Sequence, residues 1–249
     1  MRAFRGRASE PELTPPAPLT PGVSPVRPVP YAVPDLHGRA DLLEATIAKI
    51  TQRGGGTVVF LGDYVDRGHA SREVIQRLMA GAPEGQRWVC LGGNHESMLV
   101  VCYTGRAARG IWLENGGDAT LRSYGGVIPP EDLRWIQERP LLHVTEHRIF
   151  VHASVDPTIP LAAQTDDTLQ WRRYPRGFAE GHGDRHVVHG HTPNRSGPEL
   201  YAGRTNLDTL AWNTGRLAVG VFDDALPGGP TEILWVEGYP FVHLLRGAA

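Results

Sequence analysis

An α/β fold is what the sequence predicts, and three observations carry that reading. Short runs of β-branched, aromatic and aliphatic residues recur, as in Thr57–Leu61, Trp88–Leu91 and His147–Ser154. Stretches with apolar residues at helical spacing separate the early runs, giving strand–helix–strand–helix within ~50 residues, the pattern of a sheet with covering helices. Successive strands also end in glycine turns that carry polar side chains, and the carboxyl ends of strands are where open α/β sheets place ligands.

The composition fits one large domain. The chain has 249 residues, of which 41% are hydrophobic and 21% charged, enough to bury a polar site. A formal net charge of −2 argues against a nucleic-acid partner. No apolar run approaches the ~18 residues of a membrane span, so no membrane partner is expected. Arg2, Arg5 and Arg7 precede no apolar core, so the N-terminus does not read as a secretory signal. Cys90 and Cys102 sit in apolar contexts, as buried thiols in a reducing compartment do. The expectation is a cytoplasmic monomer.

Taken in order, residues 1–30 are rich in proline, which removes backbone donors and fixes φ; a flexible leader is expected, with the domain over 31–249. Tyr31–Val33 is a short strand, followed by Pro34-Asp35-Leu36-His37-Gly38 and by a helix bearing Leu42, Leu43, Ala45, Ile47 and Ile50. Gly54-Gly55-Gly56 launches the strand Thr57–Leu61, which delivers Gly62-Asp63-Tyr64-Val65-Asp66-Arg67-Gly68. Val74, Ile75 and Leu78 mark the next helix over 71–81, and Trp88–Leu91 the next strand, ending in Gly92-Gly93-Asn94-His95-Glu96. Residues 104–140 are less regular and could cap a site; Pro130–Ile136 reads as a short helix with proline and acids in its first turn. His147–Ser154 and His186–Pro193 are strands ending in histidines, and Asp166–Trp171 is a short helix. The alternating tail, Leu217, Val219, Val221 and Ile233, Leu234, Val236, predicts antiparallel strands of a second sheet.

Asp35, His37, Asp63, Asn94, His152 and His191 all lie at strand ends. Nitrogen and oxygen donors without a thiolate suit divalent Mn, Fe, Zn or Ni, with Mn favoured. Asp63, in the middle of the series, is the natural bridging carboxylate for two cations. Two such ions can share a hydroxide that attacks phosphorus directly, and can grip the phosphoryl oxygens. His95 is then free to act as general acid, with Asp66 expected to hold it protonated. Arg67, Asn94 and Arg173 would contact phosphate, the guanidinium fork of Arg67 suiting two oxygens. The substrate would be a phosphoprotein or a small phosphoester.

These residues resemble the calcineurin-like metallophosphoesterases, and within them the phosphoprotein-phosphatase branch, whose bacterial members are serine/threonine protein phosphatases or diadenosine tetraphosphatases. The family's G-D-x-H-G appears as Pro34–Gly38, its G-D-x-V-D-R-G as Gly62–Gly68, its G-N-H-E as Gly93–Glu96, its F-V-H-A-G as Phe150–Ser154 and its H-G-H-T-P as His189–Pro193. The resemblance spans residues 31–222. It implies a four-layer αββα sandwich of two mixed β-sheets, a first metal on Asp35, His37, Asp63 and His191, and a second on Asp63, Asn94 and His152. It makes His191 a ligand and His189 its support from behind. Arg173 matches a W-x-R pattern, with Arg172 as the alternative. Pro34 and Ser154 replace family glycines; neither change removes a donor.

Plainer readings stand beside these. His69, His143, His147, His182, His186 and His243 read as satisfied or surface groups, Glu96 as a first-turn helix residue, and Trp112, Trp135 and Trp171 as packing. On function, dephosphorylation of phosphoserine and phosphothreonine leads. A dinucleoside polyphosphate hydrolase is the alternative, with Arg106, Arg109, Arg122 and Trp112 as nucleotide-binding candidates. A non-catalytic binding module is the third reading.

Overall fold

The computed structural model describes residues 30–105 and 109–240. The leader expected over 1–30 lies outside the described residues up to residue 29, as do Arg106 and His243. In chain order, β1 (Pro30–Val33) leads to α1 (Ala40–Gln52), β2 (Gly56–Phe60) to α2 (Ser71–Met79), and β3 (Gln86–Cys90) to α3 (Asn94–Tyr103). A helical insertion follows: α4 (Gly110–Trp112) runs through a π turn over Leu113–Gly117 into α5 (Asp118–Ser123), and α6 (Pro130–Gln137) comes next. The second half holds β4 (Leu142–Val144), β5 (Arg148–Val151), α7 (Asp166–Gln170), β6 (His186–His189), β7 (Glu199–Leu200), β8 (Arg204–Asn206), α8 (Ala211–Thr214), β9 (Arg216–Val221) and β10 (Glu232–Glu237).

Two mixed five-stranded sheets form, in the orders β10-β9-β1-β2-β3 and β4-β5-β6-β8-β7. Period-2 alternation assigns their faces. Ala32, Val59, Leu61 and Leu91 from the first sheet meet Phe150, Val188 and Leu207 from the second, together with Phe222. The opposite face of the first sheet, through Tyr31, Val33, Val58 and Phe60, packs on Leu42, Leu43, Ile47 and Ile50 of α1 and on Val74, Ile75 and Leu78 of α2. Fully burying each such side chain stabilises by about 1.5–3 kcal/mol. Ile149, Val151 and Val187 on the outer face of the second sheet pack with Leu169 of α7. The layers are therefore helix, sheet, sheet and a thin outer helical layer, the αββα sandwich expected.

One expectation is corrected. The tail strands do not belong to the second sheet: β9 pairs antiparallel with β1, Tyr31 opposite Val221 and Ala32 opposite Gly220, and β10 extends that edge. Alternation specifies two faces of a strand but not its neighbour, so pattern alone could not place it.

The parallel pairings matter most for the site. β1, β2 and β3 run parallel in one sheet, and β5, β6 and β8 run parallel in the other. Each contributes the loop at its carboxyl end, and these loops meet where the two sheets face one another. The insertion buttresses one of them: the Arg67 backbone N–H donates to the Gly116 carbonyl at 3.1 Å, and α5 packs on α2.

Candidate metal centre

The strand-end loops share an unusual backbone. His37, Asp63, Asp66, Arg67 and His191 all have positive φ, between 43° and 71°. Non-glycine residues rarely adopt this region, and such strain collects at functional sites where the surroundings over-determine it. The surroundings are visible here. The Leu36 and His37 N–H groups both donate to the Asp63 carbonyl, at 3.0 and 2.8 Å, and Gly38 N–H donates to the Tyr64 carbonyl at 2.7 Å. The buried Glu96 carboxylate accepts from the N–H groups of Asp63, Tyr64 and Gly93 at 2.8, 2.8 and 2.9 Å. Gly93 is required, because a Cβ there would run into the Asp63 carboxylate.

Asp63 stands at the centre. Its Oδ2 lies 3.5 Å from His37 Nε2, and its Oδ1 lies 3.4 Å from His152 Nε2. The two oxygens of one carboxylate thus face two different groups of donors. His37, Asp63 and His95 form one group, and Asp63, His152 and His191 the other; within each, the ligand-type atoms lie within 4.8 Å of one another. Asn94 Oδ1 joins the second group, 2.9 Å from both His152 Nε2 and His191 Nδ1. Asp35 accepts from the His191 backbone N–H at 3.1 Å and lines the same cavity of about 380 Å³, together with Arg67, His95 and Arg173. His191 was expected with the first metal. The structure groups its ring with Asp63, His152 and Asn94 instead, because the loop after β6 approaches from the second sheet.

Beside this centre, His95 Nδ1 lies 2.7 Å from Asp66 Oδ2. The remaining capacity of the Asp66 carboxylate is filled by Thr120 Oγ1 at 2.7 Å and by Trp112 Nε1 at 3.0 Å. Burial pulls the His95 ring down to about 4 and pushes Asp66 up to about 7, the latter opposed by the Thr120 and Trp112 hydrogen bonds. The 2.7 Å contact orients the His95 ring, as the expected pairing of Asp66 with His95 requires. Arg67 reaches the other face, with Nη1 2.9 Å from His37 Nε2 and Nη2 3.0 Å from His95 Nε2. Arg173 lines the cavity, whereas Arg172 turns away to pair with Asp156 at 2.6 Å.

The electrostatics follow one rule. Burial raises Asp35, and drives Asp63 up to about 7. Burial likewise lowers His37, takes His152 to about 3 and takes His191 to about 2. Neutral imidazoles are the metal-binding form, and dense buried carboxylates call for compensating positive charge. The donor chemistry, and the division of the Asp63 oxygens between two groups, fit two divalent cations.

Sequence reasoning passed over one carboxylate. Asp208, buried and raised by desolvation and by Asp35, also lines the cavity. Its signal was its place just beyond β8, another parallel strand. Glu96 is more than a first-turn residue, since it gathers the loop backbone described above. Among the nucleotide-binding candidates, Trp112 is fully buried against Asp66 and cannot stack a base. Arg109 lies over the Tyr103 ring, and Arg122 pairs with Asp118 at 2.6 Å. His189, expected to support His191, sits 2.9 Å from Arg204 Nη1.

Comparison with known proteins bears on this arrangement. The chain is 29% identical over 205 residues to a symmetrical bis(5'-nucleosyl)-tetraphosphatase of Paraburkholderia phymatum, covering 80% of this chain and 69% of that protein. It is 27% identical over 180 residues to the protein so named in Burkholderia thailandensis, covering 69% and 57%. Among solved structures, one provisionally named a diadenosine tetraphosphatase matches with a TM-score of 0.62 at 23% identity, over 87% of this chain and 96% of that one. A metallophosphoesterase from Sphaerobacter thermophilus matches with a TM-score of 0.55 at 16% identity, over 88% and 94%; both likenesses concern the fold. A model of the calcineurin-like phosphoesterases matches residues 31–221. With that span taking in every loop of the centre, the chain belongs to the calcineurin-like phosphoesterase family, whose members use two divalent metals.

Proposed function

We propose that the chain cleaves dinucleoside tetraphosphates symmetrically, at the central anhydride, with two divalent cations, manganese first among the candidates. The observation that carries this reading is the placing of two guanidinium groups. Arg67 lies against His37 and His95 in the first donor group. Arg173 lines the same cavity, and its charge acts on His191 in the second group. A polyphosphate spanning both groups meets a cation at each side. The names of the relatives from Paraburkholderia and Burkholderia point the same way. The phosphoserine and phosphothreonine reading rests on the Asp63–Gly68 and Asn94–Glu96 loops, which both activities would share.

In this reading Asp35, His37 and Asp63 hold one ion and Asp63, Asn94, His152 and His191 the other. The ions would supply a nucleophile at neutral pH and offset charge on the phosphoryl oxygens. Arg67, Asn94 and Arg173 hold the phosphates against them. His95 lines the cavity with its ring held by Asp66; the approach of anionic phosphates would favour its protonated form, and that proton would pass to the departing oxygen. Turnover of diadenosine tetraphosphate and of a phosphothreonine peptide, measured side by side with added manganese, tests the proposal. ADP as the sole nucleotide product is expected. Formation of AMP with ATP, or turnover of the peptide alone, would overturn it.

A further inference from the structure

A second cavity, about 340 Å³, adjoins the metal centre on the side of His191, and Trp171 lines both. Its walls are apolar: Met98 and Val101 from α3, Ile111, and Trp112 beneath, with Ser97 as a polar group. Two observations mark it as more than packing. The Trp171 side chain is 40% exposed and that of Ile111 66%, an arrangement that leaves large apolar groups open to solvent. The backbone of Trp171 is fixed all the same. Its N–H donates to the Asp167 carbonyl at 2.9 Å, and its carbonyl lies 3.0 Å from His191 Nε2. The backbone from which the indole projects is therefore held at a set distance from a proposed metal ligand.

We infer that this cavity binds one nucleobase of the substrate, stacked on Trp171, with its phosphate chain running into the metal centre. The inference rests on the dinucleotide reading above and names the group that would distinguish such a substrate from a bare phosphoester. An aromatic base suits the slot. Its faces can lie against indole, thioether and aliphatic surface, and its edge can reach the Ser97 hydroxyl. The volume falls within the range of small-ligand sites. The cavity on the other flank, lined by Trp212, Arg67 and Asn115, is less suited, because the Arg67 guanidinium lies over the Trp212 ring at 5.8 Å.

Inhibition by ADP and by inorganic pyrophosphate, measured on p-nitrophenyl phosphate hydrolysis by the full chain with manganese, tests this. The two inhibitors share the diphosphate and differ by the nucleoside. ADP should bind wild type more tightly than pyrophosphate. Trp171→Ala should weaken ADP about ten-fold, within the range found for base–aromatic stacking, and change pyrophosphate less than two-fold; Trp171→Phe should restore most of the loss. Ile111→Asn, at an exposed side chain, provides a second probe with the same pattern, smaller in size. Equal shifts for both inhibitors, or no shift for either in both variants, would overturn the inference. The outcome is separate from that of the proposed activity: an ADP preference lost in Trp171→Ala would stand even if diadenosine tetraphosphate were left intact.

Discussion

His95 Nδ1 and Asp66 Oδ2 lie 2.7 Å apart, both groups buried, at the edge of a centre in which the imidazole Nε2 faces the cavity. Thr120 and Trp112 fill the rest of the Asp66 carboxylate, so its orientation is set from three sides. Asp66→Asn would present an amide N–H₂ to donors that need an acceptor and would turn the His95 ring. A fall in kcat of about 10²-fold is expected, within the ~10²–10⁴-fold worth of a general acid, with metal content unchanged. Steady-state kinetics beside elemental analysis on one preparation checks it.

Asp63 divides its oxygens between His37 and His152, at 3.5 and 3.4 Å. Asp63→Asn keeps the shape but removes the charge shared between the two donor groups. Occupancy of both cations should fall together, and activity with it. Loss of one cation with full retention of the other, by inductively coupled plasma analysis, would refute the bridging role.

Glu96 accepts from three backbone N–H groups within 2.9 Å while buried. Glu96→Gln replaces an acceptor oxygen by a donor and leaves at least one N–H unsatisfied. A loss of about 2–3 kcal/mol in stability is expected, read as a lower urea midpoint at constant slope. Because the loop of Asp63 is released as well, metal affinity should weaken in the folded variant.

His186 is buried against Thr205 Oγ1, 2.9 Å from its Nε2, and burial depresses it from 6.5 to about 4. Between those pH values the unfolded chain binds a proton that the folded chain refuses. Stability therefore falls as pH drops from 6.5 toward 4, and this contribution levels off below 4. His186→Gln should flatten that part of the stability curve. The difference between wild type and variant isolates it from proton uptake at the metal centre; parallel curves would exclude the assignment.

The donors were legible one by one, because each follows a recognisable strand. Asp35, Asp63, Asn94, His152 and His191 all sit just past a run of apolar residues, and a strand's carboxyl end is a place for ligands. Trp112 was not legible as a partner of Asp66, since the two are joined only by the packing of the helical insertion on the second loop. Nor was the exposure of Trp171 legible, since an indole in sequence looks the same packed or open.

The sequence by itself determined the α/β class, the strands that carry the donors, and the donor chemistry, all of which are local properties of hydrophobic period and residue type. Only the tertiary structure decided which donors share a group. His191 joins His152 and Asn94, and Asp208 enters the cavity, because parallel strands of two facing sheets bring their carboxyl ends together. The place of β9 and β10 was decided there too. Period-2 alternation says which side chains face inward, but the identity of a neighbouring strand depends on contacts between segments far apart in the chain.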